Sequence, residues 1–354
     1  MPRFHGGMTL YAEPEATPKG MRTLATASAF LVCTLMAGAA AITLLGVSEP
    51  IAVRIALTPS GTETQAAPVI RAEPTPDTPM PAVTGVQRAG NVLIADPALI
   101  ENTPLGPLPR VADDGRKPMT AYAAPAGAGK LKIAIVVTGL GLSARATEAA
   151  INNLPPAVTV GLLPYASDAP RWLSSARARG HEVVLQVPME PFDFPDSDPG
   201  PHTLRTGGAT ASNVERLNWA LTRFTGYAGV TNLLGDRFLS DSDALAPIFT
   251  ALSRRGLYFY DASPAARSAA PVVAGSLGMA FAQGSSSLDT IQTALEIDRR
   301  LAELEEKARA TGSAVGTAFV YPVSIERIAQ WSKGLAARGF VLVPVSAIVN
   351  APPQ

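Results

Sequence analysis

Few side chains in this chain are suited to acid–base or metal chemistry. The sequence holds three histidines, at positions 5, 181 and 202, and one cysteine at position 33. A catalytic zinc site takes about three protein ligands, mostly imidazole, thiolate or carboxylate groups. His202 with Glu190 and Asp261 is the combination available near the strand ends described below, and it forms a metal-bound hydrolytic centre only in an unusual arrangement.

From Lys130 onward, apolar runs alternate with amphipathic stretches, which is the pattern of repeated β-α units. The predicted strands are Leu131–Val137, Val158–Leu163, Glu182–Val187, Gly229–Leu233, Leu257–Tyr260, Met279–Ala282, Ala314–Phe319 and Phe340–Val343. The predicted helices are Ala169–Arg179, Asn213–Phe224, Asp243–Arg255, Leu288–Ala310 and Ile325–Arg338. This pattern predicts an α/β fold, a barrel of seven or eight β-α units, within residues 129–350. An open doubly wound sheet is the alternative, because periodicity does not show closure.

In either architecture, a functional site belongs at the C-terminal ends of the strands. The polar and aromatic candidates for a binding cleft there are Thr138, Gln186, Glu190, His202, Asn232, Asp236, Arg237, Asp261 and Tyr321. Asp261 is the only catalytic candidate, and one isolated carboxylate is a weak signal, because acid–base catalysis usually needs a second group or a metal. His181 begins a strand, which places it at the opposite, structural end of the barrel.

Two of these candidates have two interpretations each. Glu190 is expected either to accept hydrogen bonds from sugar hydroxyls or to cap the loop that follows it. Arg237, next to Asp236, either orients a ligand or forms an ion pair that holds its loop. Asp241 precedes Ser-Asp-Ala-Leu and is expected to cap a helix.

Three motifs link the folded region to a known family: Pro-Met-Glu-Pro at 188–191, Asn-x-x-Gly-x-Arg-Phe at 232–238 and Leu-Val-Pro-Val-Ser at 342–346. On these motifs, residues 132–349 resemble the divergent polysaccharide deacetylase family, a branch of the sugar-deacetylase barrels. The resemblance implies a deacetylase-like barrel. It also implies metal-dependent hydrolysis of C–N bonds in N-acetylated polysaccharide as the family's chemistry.

The chain departs from this family at the positions that matter for hydrolysis. Thr138, Gly139, Leu233 and Phe319 stand where the family pattern has Asp or His, and Gln186 stands where it commonly has His. The comparison therefore implies a lost catalytic centre, with no metal and no cofactor. Phe319 and Tyr321 are expected either to stack on a sugar ring or to pack in the core.

The resulting hypothesis is a pseudoenzyme that binds an envelope glycan or an envelope protein. One alternative is an active N-acetyl-polysaccharide hydrolase with a rearranged centre of Asp261, Glu190 and His202. The other is a purely structural interaction module. A net charge of zero with 16% charged residues argues against a nucleic-acid partner.

The N-terminal third predicts export and a membrane anchor. Residues 24–47 carry no charge, and as a helix they would span roughly 36 Å, enough for a bilayer core of about 30 Å. Lys19 and Arg22 precede this segment, which predicts a cytoplasmic tail (1–23) and a periplasmic domain beyond a single-pass inner-membrane helix. A cleaved signal peptide, ending near the Ala-Ala-Ala at 39–41, is the alternative.

Two further segments separate the anchor from the barrel. Residues 48–90 are rich in Pro, Ala and Thr and predict a disordered linker, because such a composition buries too little apolar surface to fold. Residues 91–128 are expected to be either an extended strap docked on the domain or more linker.

Overall fold

The computed structural model describes residues 86–89, 92–263 and 267–349, with side chains from Ala95 onward. The predicted tail (1–23) and membrane segment (24–47), and nearly all of the predicted linker, lie outside these residues. Within the described ranges, no helix combines the length and the hydropathy needed to cross a bilayer.

Short elements precede the barrel and pack against it. Strand β1 (Val86–Ala89) forms an antiparallel hairpin with β2 (Val92–Ala95), and β3 (Ile100–Thr103) forms another with β4 (Gly106–Pro109). Helix α1 (Pro118–Ala121) follows. Leu99, Leu108 and Tyr122 are buried, so the segment between Ala95 and Tyr122 contributes to the core.

The main sheet is parallel and its strands alternate with helices. Its strands are β5 (Leu131–Leu140), β6 (Thr159–Leu162), β7 (Val183–Met189), β8 (Gly229–Leu234), β9 (Tyr258–Asp261), β10 (Phe281–Gln283), β11 (Ser286–Ser287), β12 (Ser313–Phe319) and β13 (Phe340–Leu342). The helices are α2 (Ala144–Asn153), α3 (Ala169–Ala178), α4 (Thr210–Leu221), α5 (Asp236–Leu239), α6 (Ser242–Arg254), α7 (Ala270–Leu277), α8 (Ala294–Thr311) and α9 (Pro322–Lys333). Short 3₁₀ turns at Pro97–Leu99, Ala336–Arg338 and Val345–Ala347 complete the order.

The two edge strands of this sheet, β10 and β11, are joined by a segment of two residues. The strand order is β10-β9-β8-β7-β6-β5-β12-β11, with β13 also paired to β5. Between β10 and β11 lie Gly284 and Ser285, whose amides donate to the carbonyl oxygens of Asp261 and Val315, each at 2.7 Å. A curled parallel sheet whose edges share one connecting segment fits a deacetylase-like barrel and argues against the open-sheet alternative.

Alternation along the strands produces two apolar layers. Ala134 and Val136 of β5 pack with Tyr258 and Tyr260 of β9 inside the barrel. Their neighbours in sequence, such as Ile135, belong to the larger cluster that the surrounding helices cover. This alternation decides which residue at each strand end faces the mouth of the barrel.

All eight predicted strands are present, with small shifts at their ends. The predicted helix start at Leu288 is wrong. Helix α8 begins at Ala294, because Ser286–Ser287 pair with β12 and the Thr293 hydroxyl caps the helix by accepting from the amide of Glu296. The prediction that Asp241 is a helix cap is confirmed, since its side chain accepts hydrogen bonds from the amides of Asp243 and Ala244.

Candidate binding site at the C-terminal end of the barrel

Two of the predicted cleft residues, Thr138 and Gln186, lie buried at the mouth of the barrel. Gln186 Oε1 accepts a hydrogen bond from the amide of Gly139 at 2.6 Å. Thr138 Oγ1 donates to the carbonyl oxygen of Ala318 at 3.2 Å. Both side chains therefore help to hold the end of β5, and the Nε2 group of Gln186 is the part of that amide left to donate to a ligand.

Gly139 and Phe319 are mutually dependent. Gly139 has φ of +86°, and a Cβ atom added there would lie 2.4 Å from Cε2 and 2.5 Å from Cζ of the Phe319 ring. Contacts that short are repulsive, so any larger side chain at position 139 requires Phe319 to move. Gly139 and Phe319, two departures from the family pattern, are thus coupled, because the aromatic ring of Phe319 fills the space beside a glycine that has no side chain.

The mouth also contains hydroxyl groups that the sequence analysis did not select. Register places Gln186 beside Thr231 and Thr231 beside Tyr260 on three adjacent strands. The Tyr260 hydroxyl lies 2.6 Å from Thr317 Oγ1, and burial raises the pKa of Tyr260 well above its usual value. Thr231 Oγ1 is fully buried with no hydrogen-bond partner among the described residues. Thr231, Tyr260 and Thr317 lie within β-branched and aromatic runs of the sequence. Only the alternation of side chains along a strand could have indicated that their hydroxyl groups face the inside of the barrel.

Asp261 faces away from the mouth. Its neighbour Tyr260 points into the barrel, so the carboxylate lies on the opposite side of β9, fully buried. It accepts hydrogen bonds from the Ser263 amide at 2.9 Å and from Ser268 Oγ at 2.7 Å. Burial raises the pKa of Asp261, and the negative charge of Asp236 adds to that shift.

Asn232 and Asp236 join the ends of β8 and β9. Asn232 Nδ2 donates to the Leu234 carbonyl oxygen at 2.7 Å and to Ser263 Oγ at 3.1 Å, and its Oδ1 accepts from the Ala262 amide at 2.8 Å. Ser263 Oγ in turn donates to Asp236 Oδ1 at 2.6 Å. The two predicted residues are brought together in a network that orders the loops.

Glu190 and Arg237 are paired. Arg237 Nη1 lies 3.3 Å from Glu190 Oε1, while Oε2 accepts from the amide and the hydroxyl of Thr206 at 2.6 and 2.8 Å. Of the two interpretations for each residue, the contacts match the structural ones, an ion pair and a loop cap.

His202 stacks on Trp219, with ring centroids 3.6 Å apart and planes 9° from parallel. Partial burial, together with Arg223 and Arg216, lowers the pKa of His202. Within the described ranges, no group of three or more His, Cys, Asp or Glu side chains is placed to hold a metal ion. His202, Glu190 and Asp261 are therefore not brought together in this structure.

Phe319 and Tyr321 form an aromatic pair at the end of β12, with ring centroids 4.8 Å apart. Both are partly exposed. Asp289, which the sequence analysis did not select, holds this turn in place: its Oδ2 accepts from the Phe319 amide at 2.7 Å and from Ser324 Oγ at 2.6 Å. Burial raises the pKa of the Asp289 carboxyl.

Comparison with known proteins identifies the relatives of this domain. A family model described as divergent polysaccharide deacetylase matches residues 135–349. The chain belongs to the divergent polysaccharide deacetylase family. This membership confirms the resemblance inferred from the three motifs.

Three relatives of this deacetylase-family protein are named as uncharacterized proteins. The uncharacterized protein YibQ of Escherichia coli is 26% identical over 235 residues, covering 66% of this chain and 72% of YibQ. An uncharacterized protein of Haemophilus influenzae is 25% identical over 194 residues, covering 55% and 68% of the two chains. The crystal structure of an uncharacterized protein from Agrobacterium tumefaciens is 41% identical, covers 69% of this chain and 100% of that one, and superimposes with a TM-score of 0.67.

The residues at the mouth do not fit the metal that the family's chemistry implies. Leu233 and Phe319 offer no donor atoms, and Gly139 has no side chain. Thr138 is a weak, neutral ligand whose hydroxyl already bonds Ala318. A hydrolytic metal needs several protein ligands and an open position for water.

Proposed function

We propose that this protein is a non-hydrolytic member of its family that binds a cell-envelope component through the C-terminal face of the barrel. The observation that supports this most directly is the packing of Phe319 against Gly139. The Phe319 ring fills the space that the side chain of an aspartate at position 139, the residue type of the family pattern, would need. The residual polar groups there, the amide of Gln186 and neighbouring hydroxyls, suit hydrogen bonding rather than activation of water.

The place of action in this proposal is the periplasm. It rests on the uncharged segment 24–47, on the basic residues before it and on the Pro-rich residues that follow. In this arrangement the barrel is held at the outer face of the inner membrane and has access to envelope glycan and envelope proteins.

An active hydrolase with a rearranged centre receives less support. Each of its three residues has other partners: Asp261 binds Ser263 and Ser268, Glu190 binds Arg237 and Thr206, and His202 stacks on Trp219. Assembling them at one metal would require the loops on which they lie to refold.

The test is a joint measurement of metal content and acetate release on the purified full chain. We expect no stoichiometric zinc or other transition metal, and no acetate released from chitin-type or peptidoglycan-type substrates. Asp261→Asn serves as the matched control, since it should change neither result. One equivalent of metal with acetate release that Asp261→Asn abolishes would establish the rearranged hydrolase instead.

A further inference from the structure

Five large apolar side chains are exposed in the loops at the C-terminal ends of barrel strands. They are Leu142 (65% exposed), Tyr165 (39%), Phe192 (57%), Leu234 (46%) and Ile291 (57%), and together they are called the apolar rim. They occupy the ends of β5, β6, β7, β8 and β11 in turn. Exposed apolar residues scattered singly need no explanation, but a concentration around one opening marks an interaction surface.

Direct contacts connect the first four loops of the rim. A Cβ atom added to Gly141, beside Leu142, would lie 2.3 Å from the Cβ of Ala166, which follows Tyr165. The Tyr165 hydroxyl accepts a hydrogen bond from the His202 amide at 3.3 Å, in the loop that also carries Phe192. That loop meets the end of β8 through the Glu190–Arg237 pair. The loops that carry Leu142, Tyr165, Phe192 and Leu234 therefore form a continuous arc.

Leu234 is exposed at a cost in backbone energy. Its φ is +56°, a left-handed conformation that is uncommon for residues other than Gly, Asn and Asp. A bond from Asn232 Nδ2 to the Leu234 carbonyl oxygen helps to hold it there. Neither backbone preference nor solubility favours leucine at this position, so the side chain is best explained by a contact with a partner.

Two of the rim loops carry negative charges that bear on the choice of partner. The loops that contain Tyr165 and Phe192, residues 163–168 and 191–203, include four aspartates and neither Lys nor Arg. These aspartates, at 168, 193, 196 and 198, are exposed. Arg171 lies 3.7 Å from Asp168, while the other three form no ion pair within the described ranges. A cationic partner gains from these charges, whereas an anionic membrane surface is repelled.

We propose that the apolar rim docks a cationic, amphipathic segment of a protein partner. This inference rests on the proposed function, because a working hydrolytic cleft would have to leave the same face open to polysaccharide. A protein is favoured over a sugar since three rim residues, Leu142, Leu234 and Ile291, are aliphatic. Sugar rings stack on aromatic faces, whereas an amphipathic segment buries aliphatic and aromatic side chains alike.

The test uses two labelled peptides with the same leucine pattern, one with lysine and one with glutamate at the polar positions. Binding to the full chain in zwitterionic lipid nanodiscs is measured by fluorescence anisotropy, with empty nanodiscs subtracted. We expect the Leu/Lys peptide to bind at least about tenfold more tightly than the Leu/Glu peptide. This preference should shrink as salt is raised.

The variant Leu142→Ser/Phe192→Ser/Leu234→Asn should weaken binding of the Leu/Lys peptide about tenfold or more. Leu105→Ser is the matched control, because Leu105 is as exposed as Phe192 but lies in the β3–β4 hairpin, outside the rim. It should leave binding unchanged. Circular dichroism and thermal unfolding establish that each variant is folded.

Equal binding of the two peptides, or equal losses in the rim and Leu105 variants, would overturn the docking proposal. So would rim-dependent binding of a chitin or peptidoglycan oligomer without peptide preference. Metal and acetate are measured on the same preparation. A metal-containing, acetate-releasing chain that still prefers the Leu/Lys peptide rejects the proposed function alone. A metal-free, inactive chain without that preference rejects the docking surface alone.

Discussion

The two ends of the barrel bury polar groups in different ways. At the N-terminal end, the fully buried carboxylate of Glu182 accepts hydrogen bonds from Tyr258, from the amides of Ala124 and Ser346 and from the Ser346 hydroxyl. Those donors come from β9, from the segment before the barrel and from the C-terminal segment. His181 lies at the same end, with ring nitrogens 2.9 and 3.1 Å from two carbonyl oxygens.

At the C-terminal end, the same barrel leaves Thr231 buried without a partner among the residues that the structure describes, holds Leu234 in a left-handed conformation and exposes the apolar rim. A satisfied network stabilises the fold, whereas unsatisfied and strained groups concentrate where a surface serves binding. The difference fits the usual division in β-α barrels, with stability at the N-terminal end and the proposed binding face at the C-terminal end.

The largest expected loss of stability comes from removing the Glu182 network at the N-terminal end of the barrel. Glu182→Ala leaves the buried Tyr258 hydroxyl and the partly buried amides of Ala124 and Ser346 without an acceptor, and should lower the free energy of unfolding by about 3–5 kcal/mol. Glu182→Gln keeps one acceptor oxygen and should lose clearly less. Urea unfolding followed by circular dichroism measures both. A loss under about 1 kcal/mol in Glu182→Ala would show that the network is not what stabilises this end.

The next largest loss of stability is expected at the mouth of the barrel, where Gly139 packs against Phe319. Gly139→Asp, which restores the family's residue type, should destabilise the fold by about 2–3 kcal/mol, because the new side chain overlaps Phe319. Gly139→Asp is also combined with Phe319→Ala in a double-mutant cycle. The loss of unfolding free energy in the double variant should be smaller than the sum of the two single losses by about 1 kcal/mol or more. Simple additivity in thermal or urea unfolding would mean that the two positions are independent.

The smallest changes in stability are expected at two fully buried threonines, one at each end of the barrel. Thr159 Oγ1 accepts from the Val345 amide at 3.0 Å and lies 3.4 Å from Glu182, so Thr159→Val should cost about 1–2 kcal/mol. Thr231 Oγ1 has no hydrogen-bond partner within the described part of the chain, so Thr231→Val should be neutral or stabilising by about 1 kcal/mol. Losses of equal size in urea unfolding would remove the distinction between the ends.

The sequence predicted the elements better than the site. Apolar runs identified the strands because buried parallel strands are apolar on both faces. Helix α2 was not predicted, although its buried residues Thr147, Ala150 and Ile151 recur with helical spacing. The packing of Gly139 against Phe319, and the placement of Gln186 beside Thr231, depend on register between strands distant in sequence. Asp261 sits at a strand end as predicted, yet strand alternation turns it away from the mouth.

The position of β13 has a consequence for how the domain is made. Strand β5 pairs along one edge with β12, and shares its other edge between β13 at residues 131–133 and β6 at residues 136–140. The first strand of the barrel therefore cannot complete its hydrogen bonds until the last one has been synthesised. Contacts so distant in sequence slow folding. A ribosome-bound chain that ends before residue 340 would leave residues 131–133 of β5 with an open edge, available to chaperones or to another chain.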